Sequence, residues 1–245
     1  MTTYTIEIDC DQATADYLSN GFKLVAWKGV NAALSGQPTV WFSYKSTGKT
    51  NTLTWEENFQ CYSSTSAIVP KGKITTTNVY GIDFNNTFTI ENKVNGTGSV
   101  SSGGDPAAMT IVGCQGAEFT VGISQQVGTT NSYNPLVAFD CAGDTSIEIV
   151  PIEHVLLTFM TGTVDTGAVY YTAQTSGMLV DVTAYSDKTL RVTYAKNTGW
   201  SCDDALSKTI SKGADLSKLL VTTPSTMLFQ SREVTRMAHR LQLIS

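Results

Sequence analysis

The chain has 245 residues, with 16 Lys and Arg against 21 Asp and Glu, a net charge of −5, 41% apolar residues and only 15% charged ones. That length buries a real core as one large or two ordinary domains. The acidic balance without a basic stripe argues against a nucleic-acid partner, and no apolar run approaches the roughly 20 residues of a membrane-spanning helix.

Tyr4-Thr5-Ile6-Glu7-Ile8 alternates and predicts a strand, with Cys10 just beyond it. Asp11 to Tyr17 predicts one or two helical turns, broken at Asn20-Gly21. Strands follow at Phe22–Lys28, Thr39–Tyr44, Thr52–Trp55, Phe59–Ser63, Lys73–Thr76, Gly81–Phe84 and Thr87–Glu91, punctuated by Gly, Pro, Ser and Asn. Lys93 to Ala108 is rich in Gly and Ser and reads as a linker or long loop. A second series runs through Met109–Gly113, Phe119–Gln125, Leu136–Asp140, Ser146–Val150, His154–Met160, Ala168–Thr172, Met178–Val182 and Leu190–Tyr194. After Trp200 the pattern changes. Asp203 to Ile210 carries acids first, then Lys, and stops at Gly213, which are helix signals. Beyond Pro224, Met227, Val234, Met237, Ala238 and Leu241 share one helical face, with Arg232, Glu233, Arg236 and Arg240 on the other.

The two series repeat one another. Phe22 and Phe119 lead to Pro38 and Pro135, and both pairs are 97 residues apart (119 − 22 and 135 − 38). A weaker echo places Leu53-Thr54-Trp55 on Ile147-Glu148-Ile149, an offset of 94 (147 − 53). Another places Val69-Pro70 on Val164-Asp165, an offset of 95 (164 − 69). The expected architecture is mainly β: two tandem antiparallel β-sandwich units of similar pattern, residues 1–92 and 109–200, joined by a linker at 93–108 and followed by a helical C-terminal arm at 201–245.

Chemistry-bearing motifs are sparse. Cys10, Cys61, Cys114, Cys141 and Cys202 are widely spaced and form no C-x-x-C pair, so zinc and redox motifs are not expected. They read as buried thiols, or as exposed ones that link subunits when oxidised. His154 lies in a half-buried strand and His239 on the charged face of the arm, neither beside a second metal-type ligand, so no metal is expected. No Gly-x-Ser-x-Gly elbow or phosphate-cradling loop appears. The pairs Glu56-Glu57, Glu148/Glu153 and Asp203-Asp204 read as solvated charge or helix-start acids. Aromatics crowd the first unit. Trp27, Trp41 and Tyr44 are candidates for a sugar- or partner-binding platform, against the alternative of core packing.

Asn134-Pro135-Leu136-Val137, then Pro151-Ile152-Glu153-His154-Val155-Leu156-Leu157, Thr166-Gly167 and Leu179-Val180-Asp181 give the chain a resemblance to leaderless β-rich proteins of bacteria and fungi. In general character it is similar to intracellular inclusion- or crystal-forming proteins; this likeness transfers no site. Met1-Thr2-Thr3-Tyr4 opens on alternation, without the basic and apolar regions of a signal peptide, so the expected setting is intracellular, soluble or in an ordered inclusion. The function expected is non-enzymatic and without a cofactor: a self-associating structural or storage-type β protein forming homo-oligomers. The alternative is a lectin-like or pore-forming protein acting on glycans or membranes.

Overall fold

The computed structural model describes residues 2–45, 48–128 and 132–223. In the first half the strands are β1 (Thr3–Asp9), β2 (Phe22–Ala32), β3 (Gln37–Pro38), β4 (Phe42–Lys45), β5 (Thr50–Ser64), β6 (Asn78–Gly81), β7 (Asn86–Ile90) and β8 (Gly98–Ser102). The second half has β9 (Met109–Val112), β10 (Glu118–Val127), β11 (Tyr133–Pro135), β12 (Val137–Ala142), β13 (Ser146–Thr161) and β14 (Gly177–Asp181). It continues with β15 (Thr189–Ala195), β16 (Gly199–Ser201), β17 (Lys208–Ile210) and β18 (Val221–Thr222). Two short helices complete the set, α1 (Gln12–Ser19) and α2 (Leu216–Leu220). Asp11 caps α1 by accepting from the Thr14 amide at 2.7 Å, and Gly21 leaves the helix at φ +93°, a left-handed angle that favours glycine.

The fold is mainly β, as the alternation predicts, and several local expectations are corrected. The segment expected as a linker is largely a hairpin, because Ile90 to Gly98 turn back and β8 pairs with β7. The Asn92 side chain accepts from the Val94 and Asn95 amides and sets that turn. Asp203 to Ile210 is not a helix. The Asp204 carboxylate accepts from the Leu206 amide and the Tyr185 hydroxyl, which holds a turn, and Lys208–Ile210 then joins β14 as β17. The two short strands expected at Thr52–Trp55 and Phe59–Ser63 are one continuous strand, β5. The amphipathic stretch beyond Pro224 and His239 lie outside the described residues.

The strands form two mixed sheets. One runs β16-β15-β1-β5-β10-β12-β3, with β6 also on β5 and β11 on β10. The other runs β17-β14-β13-β9-β7-β8, with β2 on β13, and β4 and β18 on β2. They are not purely antiparallel: β1/β15, β7/β9 and β2/β18 are parallel pairs. Each sheet takes strands from both sides of Gly103–Ala108.

The two long strands, β5 and β13, are organised alike. The first part of β5 pairs with β1 and its later part with β6, while β10 runs along the other edge. The first part of β13 pairs with β9 and its later part with β14, while β2 runs along the other edge. The registers correspond residue by residue. Val25 opposite Thr158 becomes Gly122 opposite Tyr62 when 97 is added to the first and 96 taken from the second. Lys28 opposite Val155 likewise becomes Gln125 opposite Phe59. Both ladders then break in the same way, resuming at Val30/Pro151 and at Val127/Trp55. This register moves the weaker sequence echo by two residues, so that Leu53 corresponds to Ile149.

A Cβ at Gly122 would lie 2.0 Å from the Val137 carbonyl oxygen and 2.8 Å from the Tyr62 hydroxyl, so the close approach of the backbone at Val137 requires glycine where the other seam has Val25. One apolar cluster draws Ile6, Leu53, Val121 and Ile123 from the first sheet and Leu24, Ile111, Ile149 and Leu157 from the second. Each such buried side chain contributes about 1.5–3 kcal/mol. A smaller cluster, including Trp27, Leu156, Tyr170, Leu216 and Leu220, lies under α2.

Candidate functional site

Lys28 sits in the middle of β2, where its neighbours Trp27 and Val30 are buried, and it is itself only 1% exposed. Burying an ammonium group is tolerated only with close partners. Its Nζ donates to Gln125 Oε1 at 2.7 Å and to Glu153 Oε1 at 3.0 Å, and lies 2.9 Å from Glu153 Oε2. It also lies over three rings, 5.3 Å from the Trp55 centroid, 5.6 Å from Trp41 and 5.9 Å from Phe59. Glu153 is 1% exposed and accepts from Trp55 Nε1 at 3.1 Å. Gln125 is held at its other end, where Nε2 donates to the Glu56 carbonyl at 2.8 Å. Trp41 Nε1 donates to the Gln125 carbonyl at 3.2 Å.

The backbone explains why these groups meet. Glu153 lies in the irregular stretch of β13 between Pro151 and Val155, where the ladder to β2 shifts register. A bulge re-aims a side chain that strict alternation would send elsewhere, and here it turns a carboxylate onto Lys28. The corresponding stretch of β5 carries Glu57, whose Oε1 accepts from the Tyr4 hydroxyl at 3.2 Å. The Tyr4 ring in turn stacks on Trp55 at 5.5 Å. The cluster is a charge-compensated polar network in the buried core. Its chemistry is that of a register pin: a one-residue slip along either seam would turn Lys28 or Gln125 to the opposite face.

Of the aromatics singled out in the sequence, Trp41 (0% exposed) and Trp27 (1%) are core residues, with Trp41 set edge-on against Trp55 and Trp27 against Tyr170. They do not form a surface platform. Tyr44 is 54% exposed and stacks on Phe42. The two groups are separate, because Tyr44 lies on β4 at the margin of the second sheet.

Three of the five thiols are buried. Burial pushes Cys61 up to about 12 and Cys141 to about 11; burial and the neighbouring Asp9 and Asp11 carboxylates raise Cys10 to about 11. Cys114 and Cys202 are partly exposed, and all five are free thiols. Cys114 and Cys202 therefore reach solvent, whereas Cys10, Cys61 and Cys141 do not. The Cys114 and Cys202 sulfurs face the Glu91 and Arg191 carbonyls.

His154 Nε2 lies 3.6 Å from Asp181 Oδ2. Burial pushes the Asp181 carboxyl up, but the hydrogen bonds from His154 and from the Thr183 amide outweigh it and bring it to about 2. Among the described residues no group of three or more His, Cys, Asp and Glu is arranged to hold a metal ion. No helix there is long and apolar enough to cross a membrane.

Sequence reasoning passed over Lys28 and Gln125 and read Glu153 as solvated charge, whereas Glu153 is buried against Lys28. The available signal was positional. Lys28 follows Phe22, and Gln125 follows Phe119, by the same six steps (28 − 22 and 125 − 119), a polar residue at the same place in both strands. No protein-family model matches the chain, and neither the curated proteins nor the solved structures contain a match.

Proposed function

We propose that this is a non-enzymatic, self-associating structural β protein, built from a duplicated unit. The observation that carries the reading is the margin of the second sheet. Among the described residues β4 pairs with β2 alone, and it presents Tyr44 at 54% exposure with Phe42 stacked behind it. The corresponding residues of the first sheet, Phe139–Ala142 of β12, pair with β10. A strand margin with an aromatic pair is a template for another chain. The low charged fraction, 15% of the sequence, offers little repulsion between copies. Duplication is supported by the shared offset of the two seams and their matching register breaks.

Sedimentation at high concentration tests this reading. Species well above the one-chain mass are expected, and Tyr44→Ser should raise the concentration needed for them at least tenfold. Loss of part of the assembly on adding reductant would assign a role to Cys114 or Cys202. A single-chain species at every concentration overturns the proposal. The exposed Tyr44 ring also favours a second reading, stacking on a sugar. Glycan-array binding that is lost in Tyr44→Ser would favour it.

A further inference from the structure

We propose that the surface between the halves is a two-fold docking surface whose partner is a unit of its own pattern, and that Glu57 and Glu153 are equivalent seats on it for one cation. This rests on the duplicated unit proposed above and assigns that unit its partner.

The pairings between the halves are reciprocal. β2 of the first half pairs with β13 of the second, and β10 of the second pairs with β5 of the first. β1 lies parallel to β15, just as β9 lies parallel to β7. Pairings inside each half match as well: β2/β4 with β10/β12, β5/β6 with β13/β14, and β7/β8 with β15/β16. Replacing each strand by its counterpart turns the run β16-β15-β1-β5-β10-β12 of the first sheet into β8-β7-β9-β13-β2-β4, a run of the second. A surface on which i meets j while the counterpart of j meets the counterpart of i is isologous. Two like units make such a contact about a two-fold axis.

Positions on the axis meet their own counterparts. Lys28 Nζ donates to Gln125 Oε1 at 2.7 Å, across 97 residues. The Thr39 amide donates to the Leu136 carbonyl at 3.0 Å, across the same separation (136 − 39). Lys73 bridges Ala168 in antiparallel sense, across the separation of the Val69/Val164 echo (168 − 73 and 164 − 69).

The carboxylates obey the same rotation. Glu57 and Glu153 occupy the matching register breaks of β5 and β13. Lys28 is held by Glu153 at 2.9 Å, while Glu57 accepts from the Tyr4 hydroxyl at 3.2 Å. A half-turn about the axis carries Lys28 onto Gln125 and Glu153 onto Glu57, so a cation at position 125 has Glu57 as its seat. Lysine at both positions would set ammonium against ammonium, which is costly in a buried contact, and the surface therefore holds one cation.

The experiment moves the cation across the axis in the full chain, by Lys28→Gln combined with Gln125→Lys. Urea unfolding is measured for the original and the swapped chain, each also with Glu153→Gln or with Glu57→Gln. In the original chain Glu153→Gln should lower the folding equilibrium constant at least about tenfold more than Glu57→Gln, because it strips a buried cation of its partner. In the swapped chain that order should reverse. An order that does not reverse overturns the proposal, and so does a swapped chain that fails to fold, since equivalent seats accept the cation from either half. Self-association is read separately, from mass. A reversed order in a protein that sediments as single chains keeps this proposal and overturns self-association, whereas an unreversed order in an assembling protein does the opposite.

Discussion

Lys28 and Gln125 lie 97 residues apart in the chain, and their side chains touch at 2.7 Å in the core. The same separation relates Phe22 to Phe119 and Pro38 to Pro135. Two positions that correspond in the repeated pattern thus meet where the halves join. Glu153 reaches the Lys28 side of this contact, while its counterpart Glu57 binds Tyr4. The correspondence is positional, and the charge is one-sided.

That asymmetry predicts the response to substitution. Lys28→Met leaves the Glu153 carboxylate buried without its cation and should cost about 3–5 kcal/mol. For a chain of this size that is a fall in Tm of about 6–20 °C. Lys28→Met combined with Glu153→Gln should recover more than half of the loss, because Gln still accepts from Trp55 Nε1 and carries no charge. Urea unfolding of the two variants measures it. A double variant no more stable than Lys28→Met would refute the assigned compensation.

Acid should weaken the contact between β13 and the segment after β14. The Asp181 carboxyl sits at about 2 when folded, against about 3.9 for an unfolded Asp. A depressed folded value contributes stability above the unfolded value and loses it as pH falls toward the folded one. The loss therefore falls between about pH 4 and pH 2 and amounts to about 2 kcal/mol. Asp181→Asn should flatten the stability profile in that window while leaving the rest of the acid titration in place. An unchanged profile in the variant would remove Asp181 from the account.

The thiols should divide by burial. In the native protein at pH 8, Cys114 and Cys202 are expected to react with a thiol reagent. Cys10, Cys61 and Cys141, with folded values near 11 to 12, should stay unmodified until the protein unfolds. Mass spectrometry of the labelled peptides decides between the two groups. Early labelling of Cys61 would contradict the packing of β5 against β6 and β10.

The mainly-β class and most strand positions were legible, because alternation in segments such as Thr3–Asp9 reports one buried face directly. The matching registers of the two seams follow the 97-residue offset of the Phe and Pro positions. Trp41 was ambiguous, since alternation separates two faces without naming which is buried. Glu153 was not legible as the partner of Lys28. It sits where the ladder shifts register, and a bulge is the place where period-two reasoning fails. The helix expected at Asp203–Ile210 failed for a related reason: Asp204 binds the Leu206 amide and the Tyr185 hydroxyl, and these local bonds favour a turn.

By itself the sequence determined that the chain is β-rich, where most of its strands lie and that the Phe22/Phe119 and Pro38/Pro135 pairs share a spacing of 97 residues. Only the tertiary structure decided that β2 pairs with β13 and β10 with β5, so that each sheet is assembled from both halves. Alternation tells a strand which face to bury. The choice of neighbour depends on packing between residues far apart in the chain, such as Tyr62 against Gly122 and Lys28 between Gln125 and Glu153.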